Sequence, residues 1–187
     1  EGAVMAEMKF KFTIQPYQTE AVDSVVGVFA GQPFNEHFTY RRDVEIKRDV
    51  TNWMLSDEEL YMGFANAKVQ LDYGQLLDNI HRIQGRNNIK LSDSLKSGGL
   101  AVCSLDVEME TGTGKTYVYI KTMFELNKLY GWSKFIVVVP SIAIREGVQK
   151  SFETMQERFM EYYGKKARFF VYNSKNLPDI DNYSQSA

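Results

Sequence analysis

The octet Met109 to Thr116 reads Met-Glu-Thr-Gly-Thr-Gly-Lys-Thr, which has the residue types and the spacing of a phosphate-binding loop. Gly112 and Gly114 can take up left-handed backbone angles that turn successive N–H groups inward, and they carry no Cβ to block a phosphate. Lys115 would reach the β- and γ-phosphates, and the Thr116 hydroxyl would ligate Mg²⁺. The octet therefore predicts a nucleoside triphosphate as ligand; the alternative is a glycine-rich turn that precedes Lys-Thr by chance.

Length and composition indicate one globular unit. The chain has 187 residues, of which 44% are hydrophobic, so it can bury one sizeable core but is too short for two full domains. Its 22 Lys and Arg against 24 Asp and Glu give a net charge of −2. Since no global positive field draws it to nucleic acid, any contact with DNA must be local.

The cysteine, the histidines and the apolar runs exclude several other classes. A lone cysteine, Cys103, cannot form an internal disulfide, and a buried structural thiol in a reducing cytoplasm is the favoured interpretation. The unbroken apolar run from Phe135 to Val139 is far too short to cross a bilayer, so we expect a cytoplasmic protein with no membrane partner. His37 and His81 lie apart from any ligand set, which argues against a protein metal site.

Hydrophobic periodicity predicts helices ahead of the octet. The first begins near Pro16 and ends before Gly31, and its stripe consists of Val22, Val25, Val26 and Phe29. Two further stripes follow: Leu60, Phe64, Ala67 and Leu71, which come after the capping-box pattern Ser56-x-x-Glu59, and then Leu76, Leu77, Ile80 and Ile83. We interpret residues 31–99 as a helical insertion that packs on the edge of a sheet.

From residue 100 onward, apolar runs alternate with amphipathic ones. Predicted strands are Leu100 to Val107, Phe135 to Val139 and Arg168 to Tyr172. Between them we predict a helix over Lys115 to Tyr130, with Tyr119, Met123, Leu126 and Tyr130 on one face, and a helix after Pro140 striped by Val148, Phe152, Met155 and Phe159. Pro178-Asp179 is expected to be a turn. The pattern predicts an α/β fold: a parallel sheet with flanking helices and the ligand at the carboxyl ends of its strands.

Three short segments carry a resemblance to a known family. In order, they are Gln15-Pro16-Tyr17-Gln18, the octet Met109 to Thr116, and Val137-Val138-Val139-Pro140-Ser141. Together they resemble the first RecA-like domain of superfamily 2 DNA helicases and translocases, in which the first octet position is often Ala or Met rather than Gly. Asp106 to Tyr117, Lys121-Thr122 and Phe135 to Pro140 are more closely similar to the Res subunit of type III restriction-modification enzymes.

The resemblance implies a domain organisation and a set of ligand contacts. Residues 1–187 would be the front part of a P-loop RecA-like ATPase domain, with the adenine-motif helix at 5–30, the helical insertion at 31–99 and the P-loop core at 100–187. The cofactors would be ATP and Mg²⁺, with Lys115 and Thr116 in catalysis and Thr116 on the metal. The implied nucleotide-binding residues are Gln18, which would read adenine, and Thr111, Gly112, Thr113, Gly114, Lys115, Thr116 and Tyr117. Pro140, Ser141 and Arg145 would contact the DNA backbone.

By the same resemblance, the complete polypeptide would be an ATP-dependent DNA translocase coupled to endonuclease cleavage of unmodified DNA. Its partners would be double-stranded DNA and the methyltransferase (Mod) subunit of the same system. No Asp-Glu pair occurs between Ser141 and Ala187 to hold Mg²⁺ and the attacking water, and the arginine finger of a second RecA-like domain and the nuclease domain are also missing. We therefore expect an N-terminal piece of a larger enzyme, inactive by itself as a motor or nuclease.

Several alternatives remain open. The chain could belong to another superfamily 2 helicase or to a type I restriction motor, or it could be a non-catalytic nucleotide-sensing module. A small-molecule P-loop kinase usually has its loop at the extreme N-terminus and an Arg-rich lid, whereas 108 residues precede Met109 here. At single positions, Gln18 could be an ordinary polar residue at a helix start and Ser141 an ordinary helix N-cap.

Overall fold

A computed structural model describes residues 13–36, 38–41, 62–99, 101–172 and 178–185, which form a partly helical α/β structure. The helices are α1 (Pro16–Gly27), α2 (Tyr73–Arg86), α3 (Lys115–Tyr130), α4 (Ile142–Tyr163) and α5 (Pro178–Gln185). The strands are β1 (Phe38–Arg41) and β2 (Met62–Ala65), which pair antiparallel with Phe38 opposite Ala65.

The first predicted helix is confirmed as α1. Pro16 takes its first position, where a backbone N–H would lack an intrahelical partner in any case. Val22 and Val26 are buried on the face that packs against α3. Beyond the helix end, Gly31 has a φ of +94°, a left-handed angle that glycine adopts without the strain a Cβ would cause.

Helix α3 lies at the centre of the core, between α1 and α4. Sequence periodicity predicts one buried face, but buried residues surround much of the helix because it has a neighbour on two sides. The core consists of Val22 and Val26 of α1, Tyr117, Val118, Ile120, Leu126 and Tyr130 of α3, Trp132 after it, and Phe159 of α4. The predicted helix after Pro140 is confirmed as α4.

The second stripe of the region 31–99 is confirmed as α2. Asp72 is its N-cap and accepts a hydrogen bond from the Gln75 backbone N–H at 2.8 Å. Asn79, buried on the inner face of α2, donates from its amide to the carbonyls of Val28 and Ala30, both at 2.9 Å. These two bonds satisfy carbonyls at the end of α1 and hold α2 against it.

The first stripe, predicted as a helix through Phe64, Ala67 and Leu71, is wrong. Phe64 lies in β2 opposite Thr39, and residues 66–72 are neither helix nor strand. Ser56, Glu59 and Leu60 lie outside the described residues. A helical spacing of apolar residues therefore coincides here with a short strand followed by an irregular segment, so the described part of residues 31–99 contains strands as well as helix α2.

Side-chain hydrogen bonds hold that irregular segment to the chain after α3. The Asn66 Oδ1 atom accepts from the backbone N–H groups of Ser133 and Lys134 at 2.9 and 2.8 Å, and its Nδ2 donates to the Lys134 carbonyl at 2.7 Å. Trp132 Nε1 donates to the Ala67 carbonyl at 2.9 Å. Because these long-range bonds use the backbone of both segments, tertiary pairing overrides the local preference for helix.

The predicted parallel sheet is not confirmed. Residues 101–107, 131–139 and 165–172 have no strand hydrogen bonding, and β1 pairs only with β2 among the described strands. Ile136 and Val138 are 79% and 87% exposed, which is the reverse of the burial that an all-apolar parallel strand requires. An apolar run becomes such a strand only where neighbours on both sides accept and donate its backbone hydrogen bonds.

The last helix and the cysteine also differ from expectation. Pro178 begins α5 rather than a turn, in keeping with the preference of proline for the first helical position. Helix α5 packs on β2, and the hydroxyls of Tyr40 and Ser184 are 3.1 Å apart. Cys103 is half-buried in an irregular segment, and burial raises the pKa of its thiol. No helix in the described ranges combines the length and the apolar character needed to cross a bilayer.

Candidate nucleotide-binding site

The glycines of the octet have the backbone angles that a phosphate-binding loop needs. Gly112 and Gly114 have φ values of +83° and +87°, in the left-handed region that favours glycine. Between them, Thr113 closes a turn by donating from its backbone N–H and its hydroxyl to the Glu110 carbonyl, at 3.4 and 2.6 Å. Helix α3 begins at Lys115, so the loop leads directly into a helix N-terminus.

That helix N-terminus is open to an anion. Gly114 occupies the N-cap position of α3 and supplies no side-chain cap, so no side chain of the cap satisfies the first N–H groups of the helix. A Cβ placed on Gly112 would meet no atom within 4 Å, which shows free space above the loop. Unsatisfied N–H groups, the positive end of the helix dipole and open space are the features that bind a phosphate.

Lys115 and Met109 form a contact across the loop. The exposed Lys115 ammonium donates to the Met109 carbonyl, while the Met109 side chain packs against the core. The departure from the strict motif at Met109 thus has a structural role, because the side chain anchors the backbone that Lys115 holds. The cation lies over the loop, where a phosphate would compete for it.

Two side chains of α1 bind the loop at the Thr113 carbonyl. Gln18 Nε2 donates to that oxygen at 2.9 Å, and the Tyr17 hydroxyl donates to it at 3.2 Å. The Gln18 Oε1 atom accepts from the Gln15 backbone N–H at 3.0 Å. Gln18 is only 4% exposed, and a Cβ on Gly114 would lie 2.5 Å from its Nε2. Gln18 therefore lies against the loop, and its amide has one N–H and one lone pair beyond these two bonds.

The remaining residues of the predicted nucleotide site have different surroundings. Thr111 is exposed and Thr116 is partly exposed, whereas Tyr117 is buried and stacks on Phe159 with ring centroids 6.0 Å apart. The side chain of Tyr117 belongs to the core, which leaves its backbone N–H as the group available to a nucleotide. Burial raises the pKa of Tyr119, and the Thr116 hydroxyl opposes that rise.

The predicted DNA-contacting residues lie at the start of α4, and no described hydrogen bond joins them to the loop. Ser141 is the N-cap of α4, where its hydroxyl accepts from the Ile144 backbone N–H at 3.3 Å. Pro140 and Arg145 are exposed beside it. The structure thus gives Ser141 the capping role that sequence reasoning left open, on a surface accessible to a partner.

Metal-binding side chains do not cluster in the part of the chain that the structure describes: no three His, Cys, Asp or Glu residues there could hold an ion together. His81 Nε2 lies 2.7 Å from the Ser92 carbonyl, in a contact between α2 and the segment after it. His37 lies outside the described residues.

Sequence reasoning missed two contacts of the site. The sequence gives Tyr17 no role of its own, yet its hydroxyl shares the Thr113 carbonyl with Gln18. The sequence shows Met109 only as a departure from the motif, whereas its carbonyl is the partner of Lys115. The position of Tyr17 next to Gln18 is a usable signal for the first contact. No sequence signal predicts the second, because it depends on a backbone atom.

Comparisons with known proteins agree with the loop geometry. Residues 103–182 match the family described as type III restriction enzyme, res subunit. The EcoP15I Res subunit of Escherichia coli is 32% identical over 169 residues, which are 88% of this chain and 15% of that protein. The EcoPI Res subunit of Escherichia phage P1 is 31% identical over 162 residues, 86% of this chain and 14% of that protein.

A shorter but stronger likeness is to the StyLTI Res subunit of Salmonella typhimurium (strain LT2), which is 47% identical over 62 residues, 32% of this chain and 6% of that protein. The chain spans about 15% of the length of the first of these relatives. The family match includes the octet and α3, and the longer alignments extend over most of the chain. Residues 103–182 therefore belong to the family of type III restriction-enzyme Res subunits, and the likeness to that family extends over most of the chain.

Proposed function

We propose that this chain is the ATP-binding part of the helicase-like motor of a type III restriction enzyme, and that it binds ATP together with Mg²⁺. The observation that carries the proposal is the loop that leads into the uncapped N-terminus of α3, with Gly112 and Gly114 in left-handed angles and Lys115 above them. The domain organisation that this implies is an adenine-motif helix at 5–30 and a P-loop core of RecA-like type at 100–187.

The loop binds the phosphates through its backbone and the Lys115 side chain. Inward N–H groups between Gly112 and Thr116 supply fixed partial charges that need no reorganisation when an anion arrives. Lys115 gives up its bond to the Met109 carbonyl and donates to the β- and γ-phosphates. A neutral carbonyl is the weaker partner of the two, because a phosphate oxygen carries negative charge and therefore attracts the ammonium group more strongly.

The metal would be held by Thr116. Its hydroxyl is at the first turn of α3 and partly exposed, and a hydroxyl is an oxygen ligand of the kind that Mg²⁺ accepts with nucleotide phosphates. Bound there, Mg²⁺ would supply positive charge against the phosphate oxygens. Thr116 would hold the metal, and Lys115 would stabilise negative charge on the oxygens of the phosphoryl group.

The base would be read at the other side of the loop. Gln18 holds the Thr113 carbonyl with one N–H and still has one N–H and one lone pair. An adenine presents N7 as acceptor and its N6 amino group as donor, which match those two groups. The same side chain therefore connects recognition of the base to the position of the phosphate loop.

In the complete protein, we propose that ATP hydrolysis drives movement along double-stranded DNA and licenses its cleavage, with a Mod subunit as partner. Ser141 and Arg145 at the exposed start of α4 would bind the DNA backbone, Arg145 through its guanidinium. The Ser141 hydroxyl already accepts a hydrogen bond from the Ile144 backbone N–H. It can keep that bond and donate its own proton to a phosphate oxygen at the same time.

The test of nucleotide binding is Lys115→Ala, with Lys128→Ala as the matched control. Both lysines are exposed on α3, but Lys128 lies in the last turn, away from the loop. We expect Lys115→Ala to weaken ATP binding by about 10- to 100-fold, from the loss of roughly 1.5–3 kcal/mol. Isothermal titration calorimetry with ATP and Mg²⁺ should show unchanged affinity for Lys128→Ala. Unchanged affinity for Lys115→Ala would overturn the proposal.

A further inference from the structure

One buried hydroxyl close to the loop makes no hydrogen bond. The Tyr119 hydroxyl oxygen is enclosed by the protein and, within the described residues, has no hydrogen-bond partner. Buried hydroxyls in folded proteins almost always have a partner, because leaving one unpaired sacrifices its hydration without replacement. Such a group calls for another state of the protein in which it is paired.

Tyr119 lies one turn after Thr116 on α3. Residues three apart on a helix are neighbours on its surface, and helical side chains lean toward the N-terminus. The Tyr119 ring therefore extends toward the end of α3 that carries the phosphate loop. Within the described residues, the hydroxyl of Tyr119 does not have hydrogen-bond geometry with the hydroxyl of Thr116.

The chemistry of a metal-binding threonine supplies the missing partner. A hydroxyl that gives a lone pair to a cation has one proton left, and that proton needs an acceptor that fixes the orientation of the hydroxyl. A tyrosine hydroxyl can accept it.

We propose that Tyr119 is a positioning residue, whose hydroxyl accepts the proton of the Thr116 hydroxyl when Thr116 binds Mg²⁺ with the nucleotide. The inference rests on the proposed function, since it needs a nucleotide and Mg²⁺ at the loop. The unpaired Tyr119 hydroxyl destabilises the free chain, whereas its hydrogen bond with Thr116 stabilises the chain that has bound nucleotide and Mg²⁺.

The test is Tyr119→Phe, which removes only the hydroxyl. We expect the Kd for ATP measured by calorimetry in excess Mg²⁺ to rise about 10-fold, the lower end of what losing a partner of a metal ligand costs. The Kd for ATP in excess EDTA should not change. The melting temperature of the nucleotide-free variant should rise by about 2–4 °C, since an unpaired buried group has been removed.

A matched control lies on the same helix. Tyr130 is also buried, but its hydroxyl donates to the Val26 carbonyl at 3.0 Å and lies at the opposite end of α3 from the loop. Tyr130→Phe should lower the melting temperature and leave both Kd values unchanged. In a background of Thr116→Ala, Tyr119→Phe should cause no further loss of affinity in Mg²⁺, because the two hydroxyls act as a pair.

Two results would overturn the inference: an unchanged Kd for Tyr119→Phe in Mg²⁺, or an equal rise in Mg²⁺ and in EDTA. A fall in melting temperature like that of Tyr130→Phe would also count against it, since the hydroxyl would then be paired in the free chain. If the unaltered chain binds ATP in neither condition, the proposed function fails and this inference with it. If the unaltered chain binds ATP more tightly with Mg²⁺, only the role of Tyr119 is at stake.

Discussion

Gln18 offers the sharpest test of how base and phosphate recognition are connected. Gln18→Met keeps the length and most of the volume of a side chain that is 4% exposed, but it removes the carbonyl and the NH₂ of the amide. The variant therefore loses the hydrogen bond that Gln18 donates to the Thr113 carbonyl and the one that it accepts from the Gln15 backbone N–H. The Thr113 carbonyl keeps the Tyr17 hydroxyl as donor, and Gln15 is exposed enough for water to replace its partner. The variant should therefore fold.

The magnitude follows from these bonds. Two neutral hydrogen bonds at about 1 kcal/mol each predict a loss of about 2 kcal/mol in the free energy of unfolding, measured by urea denaturation. If Gln18 also pairs with adenine, ATP loses a bidentate contact worth about 1–3 kcal/mol that GTP does not make. The ratio of the Kd values for GTP and ATP should then fall by about tenfold in Gln18→Met.

The control for the loop contact alone is Tyr17→Phe. It removes the other donor to the Thr113 carbonyl and leaves the amide of Gln18 intact. We expect it to weaken ATP and GTP by the same factor, which calorimetry with both nucleotides would measure. An equal loss of ATP and GTP affinity in Gln18→Met as well would refute base recognition and leave Gln18 as a support of the loop.

Two further predictions concern stability. Gly131→Ala should lower the free energy of unfolding by more than about 2 kcal/mol, because Gly131 has a φ of +79° and a Cβ there would lie 2.4 Å from the Asn35 carbonyl oxygen. Gly164→Ala, with a φ of +64° and open space around the Cβ, should cost only about 1 kcal/mol in the same urea titration, and equal losses would contradict this reasoning. Burial, and then the hydrogen bond from its hydroxyl to Glu125 at 2.6 Å, raise the pKa of Tyr163, so the unfolded chain ionises first and stability should fall as the pH rises above about 10. Tyr163→Phe should make that fall shallower in urea midpoints taken from pH 8 to 11, and an unaltered slope would show that Tyr163 does not contribute to it.

The helices around the site could be predicted from the sequence because each has a local signal. Pro16 and a stripe of valines predict α1, and the stripe that starts at Leu76 predicts α2. The apolar positions after Lys115 predict the existence of α3, although not the burial on two sides that its neighbours create. Gln18 also contacts the loop, through the Thr113 carbonyl, because α1 packs on α3; its role in reading adenine stays a prediction.

What failed depends on partners distant in the sequence. The helical spacing through Phe64 does not indicate that β2 pairs with β1. Nor does it indicate that Asn66 accepts hydrogen bonds from the backbone N–H groups of Ser133 and Lys134. Likewise, the run from Phe135 to Val139 has the composition of a buried strand, but composition does not provide the neighbours that make it one. The partner of Lys115 could not be predicted for a different reason: it is a backbone carbonyl, and every residue type has one.

The contact between Lys115 and the Met109 carbonyl means that the free loop contains a competitor for the proposed nucleotide. The exposed cation already has a partner, so binding of a phosphate would exchange an internal hydrogen bond for an external one. Part of the entropy of ordering Lys115 is already lost before a ligand binds, which lowers the entropic penalty on association. Because the Met109 side chain is anchored in the core, the strength of that competition is set by packing beneath the loop as well as by the charges above it.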